Sequence, residues 1–266
     1  MKKIIFFDID GTIVTVGQQG RIIPQSTIRA LHLLQKNGHL CFINSGRSMA
    51  EIGPEIIDLG FDGYICGCGT YITHKDKVLL HKTIPFSLGN ELIQDFTKWN
   101  LEWILEGESG VYFGSFPYKT HIGDFKREHK TVLKERCHIL EPEETKNIPF
   151  DKFCLCVKED SNFDAFYEKY KDSLTFINRK NSLYEITPAG YSKASGMEFL
   201  FKHFDIAQKD SIAIGDSEND IPMLNYAGFS IAMGNSSKAL LPLAAYVTTP
   251  ILEDGIYRAM EHLCLL

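Results

Sequence analysis

Four apolar residues in a row, Ile4-Ile5-Phe6-Phe7, run directly into the acidic turn Asp8-Ile9-Asp10-Gly11-Thr12. A strand with one wet face alternates apolar and polar side chains. A run without polar interruption is apolar on both faces and must be covered on both, which selects a parallel sheet flanked by helices. The same signature returns far down the chain, where Ile212-Ala213-Ile214 leads into Gly215-Asp216-Ser217-Glu218-Asn219-Asp220. Between these, Leu40–Ile43 and Tyr64–Cys66 read as further buried strands. Pro24 opens a helix with Ile28, Leu31 and Leu34 at helical spacing, and Gly38 suits its left-handed C-cap. A second helix is expected directly after Ser45-Gly46-Arg47. The βα rhythm resumes with a helix over Lys193–Phe204, a helix near Ile221–Ala227, and strands around Phe229–Ala232 and Tyr246–Thr248.

The rhythm breaks near Thr83-Ile84-Pro85. From there to about Glu185, helical stretches (Ser87–Asn100, Ser161–Lys171) mix with strands of hairpin or edge character, Glu102–Leu105 with Val111–Phe113, and Phe153–Val157. Thr187-Pro188-Ala189-Gly190 reads as a second hinge. The expected fold is therefore α/β, a doubly wound parallel core over 1–83 and 187–266, interrupted by an inserted α+β cap over 84–186.

The 266 residues suffice for two such domains, and 44% hydrophobic with 23% charged residues is ordinary for a soluble globular protein. A net charge of −6 without a basic stripe argues against nucleic acid as a partner. The opening apolar run is too short for a signal peptide and no later run reaches the length of a membrane span. Seven cysteines without a disulfide-framework spacing fit a reducing cytoplasm. Two C-x-C pairs, Cys66/Cys68 and Cys154/Cys156, lack a histidine at zinc-finger spacing and read as packing residues. Nothing in the sequence speaks to oligomeric state.

The acidic turns carry the chemistry. Ligands of open parallel sheets sit beyond the carboxyl ends of the strands, where Asp8 and Asp216 fall. Two carboxylates at i and i+2 repel unless a cation lies between them, which points to Mg²⁺. A carboxylate can attack phosphorus to form an acyl phosphate, and a second one can protonate the leaving alcohol and later activate water. Asp216 can complete the oxygen shell of the metal, and Asp220 can orient a ligand or a neighbouring cation. Ser45-Gly46, between a strand and the expected helix, and Lys193, at the start of another, suit phosphate oxygens. Taken singly, each motif is equally a solvated loop, a surface lysine or an N-cap; two acid-tipped apolar strands in one chain are not.

In this order, Asp8-Ile9-Asp10-Gly11-Thr12, Ser45-Gly46-Arg47, Lys193 and Gly215-Asp216-Ser217-Glu218-Asn219-Asp220 resemble the four motifs of the haloacid dehalogenase-like superfamily. Ile221-Pro222-Met223-Leu224, Ala232-Met233-Gly234-Asn235 and Glu253-Asp254-Gly255-Ile256 resemble its Cof-type phosphatase branch. The resemblance implies Asp8 as nucleophile and Asp10 as general acid/base. It implies metal ligation by Asp8, the Asp10 backbone carbonyl and Asp216. Phosphate contacts would come from Ile9, Ser45, Gly46, Lys193 and Asn219, with Thr12, Arg47 and Asp220 in support. It also implies a core sheet of order 5-4-1-2-3. Asn44 and Cys68 depart from the family pattern, which has a Thr or small residue at the first position and Asn at the second.

The reading that follows is a Mg²⁺-dependent phosphatase acting on a small phosphorylated metabolite, a sugar phosphate or similar, through an aspartyl-phosphate. The alternatives are a phosphomutase or phosphotransferase, and a non-catalytic phospho-aspartate signalling protein. Asp10 speaks against the last, since an acid/base beside the nucleophile speeds hydrolysis. Arg179, Lys180 and Glu185, near the second hinge, are candidates for reading the substrate.

Overall fold

Each apolar run that enters an acidic turn becomes a strand of one sheet, and its side chains disappear from water on both faces. The computed structural model describes residues 2–17 and 20–266. The chain begins with β1 (Ile4–Phe7), α1 (Gln25–Lys36) and β2 (Leu40–Asn44), then a short α2 (Pro54–Ile57). β3 (Gly63–Cys66), β4 (Tyr71–His74) and β5 (Lys77–His81) follow. Next come α3 (Phe86–Lys98), β6 (Glu102–Glu106), β7 (Val111–Gly114), α4 (Ile122–Leu133) and β8 (Cys137–Leu140). β9 (Lys152–Cys156), α5 (Phe163–Tyr170), β10 (Leu174–Asn178) and β11 (Leu183–Pro188) complete the middle of the chain. The last stretch holds α6 (Lys193–Phe204), β12 (Ser211–Gly215), α7 (Ile221–Tyr226), β13 (Phe229–Ala232), β14 (Tyr246–Val247) and α8 (Gly255–His262).

These elements divide into two compact units. One is Met1–Gly46 with Ile57–Leu79 and Ser192–Leu266; the other is Arg47–Ile56 with Leu80–Tyr191. No helix of the described residues is long and apolar enough to cross a membrane.

The first unit is built on a sheet of order β14-β13-β12-β1-β2-β3-β4-β5. Pairing is parallel from β14 to β3, so the 5-4-1-2-3 order implied by the motifs is present as β13-β12-β1-β2-β3. Ile4, Ile5 and Phe6 are each 0% exposed, as a strand covered on both faces requires. The register pairs Phe7 with both Ile214 and Ile43, so Asp8, Gly215 and Asn44 leave the sheet at one edge. β4 turns back antiparallel on β3, an extension the sequence reading does not anticipate.

The helix expected after Ser45-Gly46-Arg47 is not formed. Met49–Glu51 makes a single 3₁₀ turn and α2 spans only Pro54–Ile57. The reason is local: Pro54 lacks an N–H and biases Gly53 away from helical angles.

The second unit carries a mixed sheet of order β10-β11-β9-β6-β7-β8, antiparallel except for β7 with β8. One face is a largely aromatic core. Phe96 of α3 and Phe166 of α5 meet Phe153 of β9, with Phe96 at 5.2 Å from Phe153 and 5.7 Å from Phe166 between ring centroids. The other face is partly ionic. Lys152 is buried with its Nζ 2.6 Å from both Glu106 Oε2 and Glu185 Oε1, and Cys154 Sγ contacts Glu106 Oε1 at 3.2 Å. Burial, opposed by the charge of Lys152, lifts Glu106 to about 7.

Removing one member of a buried ionic set leaves the others uncompensated, so Lys152→Ala is expected to cost about 3–5 kcal/mol of stability. A carboxyl whose folded-state pKa is raised contributes stability below its unfolded value and loses it as the pH climbs through the folded value. The deficit should therefore deepen from acid to neutral pH, read from urea midpoints of the variant and the parent protein.

Candidate active site

The edge set by the register gathers three carboxylates. Oxygens of Asp8, Asp216 and Asp220 lie within 4.8 Å of one another, and among the described residues no other acid, histidine or cysteine group is so arranged. Asp8 continues β1, its N–H donating to the Ile214 carbonyl at 3.0 Å, and it is 4% exposed. The turn beyond it closes on the Ile9 carbonyl, which accepts from the N–H groups of Thr12, Ile13 and Val14 at 3.3, 2.9 and 2.9 Å. Gly11 has φ +84°, and a Cβ there would stand 2.1 Å from Asp216 Oδ2. Only glycine satisfies both the backbone angle and the approach of the second acidic strand.

Lys193 is the cation inside this group. Its Nζ is 2.6 Å from Asp8 Oδ1 and 2.6 Å from Asp220 Oδ1, and the residue is 2% exposed. It is the first residue of α6, whose start is fixed by a reciprocal cap: Ser195 N–H donates to Ser192 Oγ at 3.1 Å and Ser192 N–H to Ser195 Oγ at 2.9 Å. The Lys193 carbonyl accepts from Asn44 Nδ2 at 3.0 Å. The other oxygen of Asp220 accepts from the N–H groups of Asp216 and Ser217, each at 3.0 Å. Asp220 is therefore turned toward Lys193 and its own turn, leaving Asp8 and Asp216 as the carboxylates best placed for a metal.

The electrostatics express the crowding. Burial, then the charge of Asp220, raises Asp8 to about 7 against the pull of Lys193. Burial, then the charges of Asp8 and Asp220, raises Asp216 to about 8. Burial alone would discharge Lys193, but Asp220 and Asp8 hold its pKa well above the ordinary range. Among the described residues, Thr12 Oγ1 and Asp216 Oδ1 are buried without a hydrogen-bond partner. Excess negative charge and unpartnered buried oxygens are what a hard divalent cation relieves, so the residues present fit such a metal.

The remaining sequence candidates fall as follows. The Asp10 side chain is 43% exposed, with Arg21 Nη2 3.9 Å from its Oδ1. Ser45 is buried, but its N–H donates to the Ile65 carbonyl at 2.8 Å, so that group is not available to an anion. Asn219 is half-buried in the turn after β12 and accepts from Ser217 Oγ. Arg47 falls in the second unit, where Nη1 donates to the Glu51 carbonyl at 3.4 Å. Glu185, a candidate by sequence for reading the substrate, is 4% exposed and bound to Lys152, with Arg179 Nη1 3.6 Å from its other oxygen.

Two residues to which the sequence reading gives no role contribute. Asn235 Nδ2 donates to the Gly11 carbonyl at 2.8 Å while its Oδ1 accepts from Ile251 N–H at 2.9 Å, tying the turn after Asp8 to the loop after β13. Asn44 braces the start of α6 as described. Cys68 takes φ 54°, a left-handed angle that Asn and Gly tolerate best, which gives a physical reason for Asn at this position in the family pattern.

A parallel sheet with two acid-tipped central strands, a lysine delivered between them by the next helix, and a second α/β unit define an enzyme of phosphoryl chemistry. The haloacid dehalogenase-like hydrolase family matches residues 5–260, and the chain belongs to it, as a phosphoric monoester hydrolase of the Cof-type, subclass IIB kind. YkrA of Bacillus subtilis (strain 168) is 30% identical over 266 residues, covering 99% of this chain and 98% of YkrA. The 5-amino-6-(5-phospho-D-ribitylamino)uracil phosphatase YcsE of the same organism is 24% identical, covering 98% and 95%. The solved structure of the subclass IIB sugar phosphatase BT4131 superposes with a TM-score of 0.79 at 26% identity, covering 99% and 100%.

The raised carboxylates generate a pH prediction. Their folded-state values lie above the ordinary 3.8, so in the cation-free protein these two groups contribute stability below that value and lose it as the pH rises through about 7 and 8. A divalent cation stabilises the ionised forms. Its effect on the melting temperature should therefore be small in acid and grow toward pH 8; an equal effect across the range would contradict the assignment.

Proposed function

We infer that the protein is a Mg²⁺-dependent phosphatase that hydrolyses the phosphate monoester of a small metabolite, a sugar phosphate or similar, through an aspartyl-phosphate on Asp8. The observation that carries this reading is the placement of the Asp8 carboxylate, at the end of β1, between Lys193 and Asp216. Asp8 and Asp216, with the Asp10 backbone carbonyl, are the proposed metal ligands. Mg²⁺ bound there neutralises phosphate charge and lets a dianion approach a carboxylate.

In the first step an Asp8 oxygen attacks phosphorus and the bond from phosphorus to the leaving oxygen breaks. Asp10, as the acid, gives its proton to that oxygen. In the second step ionised Asp10 takes a proton from water, the water oxygen attacks phosphorus, and the Asp8–phosphorus bond breaks to restore the carboxylate and release phosphate. The exposure of Asp10 suits a group that must exchange protons with solvent between steps. Ser45, Gly46, Asn219 and the Ile9 backbone are the proposed phosphate contacts, and Lys193 orients Asp8 while offsetting its charge. Substrate choice is assigned to the second unit. A small phosphorylated metabolite is supported by the substrates in the names of YcsE and BT4131.

Asp8→Asn should abolish phosphate release from an aryl phosphate while leaving the melting transition in place, because an amide is a far poorer nucleophile of the same shape. Asp10→Asn should slow turnover by about 10²–10⁴-fold, the usual worth of a positioned acid/base. EDTA should silence the enzyme and Mg²⁺ restore it, with Ca²⁺ a poor substitute because it relaxes the octahedral geometry. Full activity of Asp8→Asn, or of the parent protein without metal, rejects the mechanism.

A further inference from the structure

The chain crosses from the first unit to the second between Gly46 and Arg47, directly after the residues proposed to hold phosphate. The ten-residue segment Arg47–Ile56 has little regular structure of its own and is held by the second unit at several points. Ala50 is 1% exposed, packs with Ile104 and Phe113, and donates its N–H to the Gly107 carbonyl at 3.3 Å. Arg136 Nη1 donates to the Ile52 carbonyl at 3.3 Å. Glu51 is the organising side chain. Its Oε2 accepts from Ser48 N–H at 2.8 Å and Ser48 Oγ at 2.9 Å, which folds the turn next to Gly46-Arg47. Its Oε1 meets His129 Nε2 of α4 at 3.2 Å.

The protonation of His129 follows from geometry. Its Nδ1 lies 2.8 Å from the Phe125 carbonyl, which can only accept, so the proton sits on Nδ1. A neutral ring would then present a lone pair at Nε2 to an ionised carboxylate. The contact with Glu51 is attractive only when Nε2 is protonated too, so the ring is an imidazolium. The surroundings agree. Burial disfavours its charge, but the hydrogen bond and charge of Glu51, the Phe125 carbonyl and the charge of Glu106 hold its pKa above the ordinary value. Burial likewise opposes ionisation of Glu51, yet His129 and Lys152 keep its pKa far below the carboxylate range. Of the charged groups near the pair, Glu106 on β6 acts on His129, Lys152 on β9 acts on Glu51, and Arg47 Nη1 donates to the Glu51 carbonyl.

We propose that protonated His129, acting through Glu51, positions the Ser45-Gly46 turn, so that phosphate binding weakens when His129 loses its proton. The role is one of positioning: neither side chain touches substrate, and both act through the chain that leaves Gly46. The proposal rests on the phosphate-holding role assigned to Ser45 and Gly46.

The test uses the full-length protein with Mg²⁺ and two probes, an aryl phosphate for KM and kcat and inorganic phosphate for a calorimetric Kd. His129→Gln, Glu51→Gln and the double variant are compared with the parent between about pH 6 and pH 9, upward from the ordinary histidine range. Each single variant should raise KM and the phosphate Kd about tenfold, with a smaller change in kcat, as expected for a displaced binding turn. The double variant should be no worse than either single one, since the pair acts as a unit. The parent should lose affinity toward the alkaline end relative to His129→Gln, a ratio in which the ionisation of phosphate itself cancels. A purely structural role would lower the melting temperature of His129→Gln and leave the shape of this pH profile unchanged, which overturns the proposal. Should His129→Gln fail to fold, His129→Lys carries the test through a cation that does not titrate in this range. It should bind phosphate at the acid end as the parent does and lack the alkaline weakening; retention of that weakening overturns the proposal. Failure to bind phosphate by the parent protein removes the site reading together with this inference, whereas binding that is indifferent to His129 and Glu51 removes the inference alone.

Discussion

Two adjacent parallel strands that end in register each deliver a carboxylate to the same edge, and like charges so placed must be reconciled or the sheet edge would open. Asp8 and Asp216 are brought together by the pairing of β1 with β12, and Asp220 closes the group. Three carboxylates face one lysine. With all four ionised the local sum is −2, and burial, then the neighbouring carboxylates, raise Asp8 and Asp216 against the pull of Lys193. Much of the surrounding structure keeps this unfavourable group together. Gly11 removes a Cβ from the path of Asp216, Asn235 ties the Gly11 turn to the loop before α8, and Asn44 and the cap of α6 fix where Lys193 starts. Such crowding of like charge is what a hard divalent cation relieves.

The parts of this arrangement legible in sequence are those encoded locally. An apolar run followed by an acid states, within one short segment, that a strand is covered on both faces and that a carboxylate stands at its end. Asp8 and Asp216 could be found that way, and so could Lys193 at the head of an amphipathic helix. What joins them is not local. Nothing in Asn235 announces a bond to Gly11, more than two hundred residues earlier, and Asn44 reads as an ordinary strand end although it braces Lys193.

The second unit misleads for a related reason. Glu102-Trp103-Ile104-Leu105-Glu106 has acids at both ends, the look of a strand wetted at its margins, yet Glu102 and Glu106 are 2% and 5% exposed. Glu102 is satisfied by the N–H groups of Lys119 and Thr120 at 2.7 and 3.0 Å, and Glu106 by Lys152. Binary patterning assigns polar residues to water by default; it has no means of foreseeing a partner that arrives from another strand. The expected helix after Ser45-Gly46 failed on the opposite ground, since Gly53-Pro54 was visible and should have outweighed the expectation of a regular βα unit.

The two ionic groups, one in each unit, share a motif and differ in sum. Each sets a buried lysine between two carboxylates at 2.6 Å, Asp8 and Asp220 in one, Glu106 and Glu185 in the other. In the first, the third acid, Asp216, has no cation of its own and the group remains negative. In the second, Glu51 is answered by His129 and Glu185 by Arg179 as well, so with every carboxylate ionised the formal charges cancel when the histidine is protonated. A group that remains negative recruits a metal; a group that balances only with a proton on one imidazole is sensitive to that proton instead. The same device of carboxylates around a lysine thus recurs in both units, and the difference lies in whether the compensating charge is supplied by the protein.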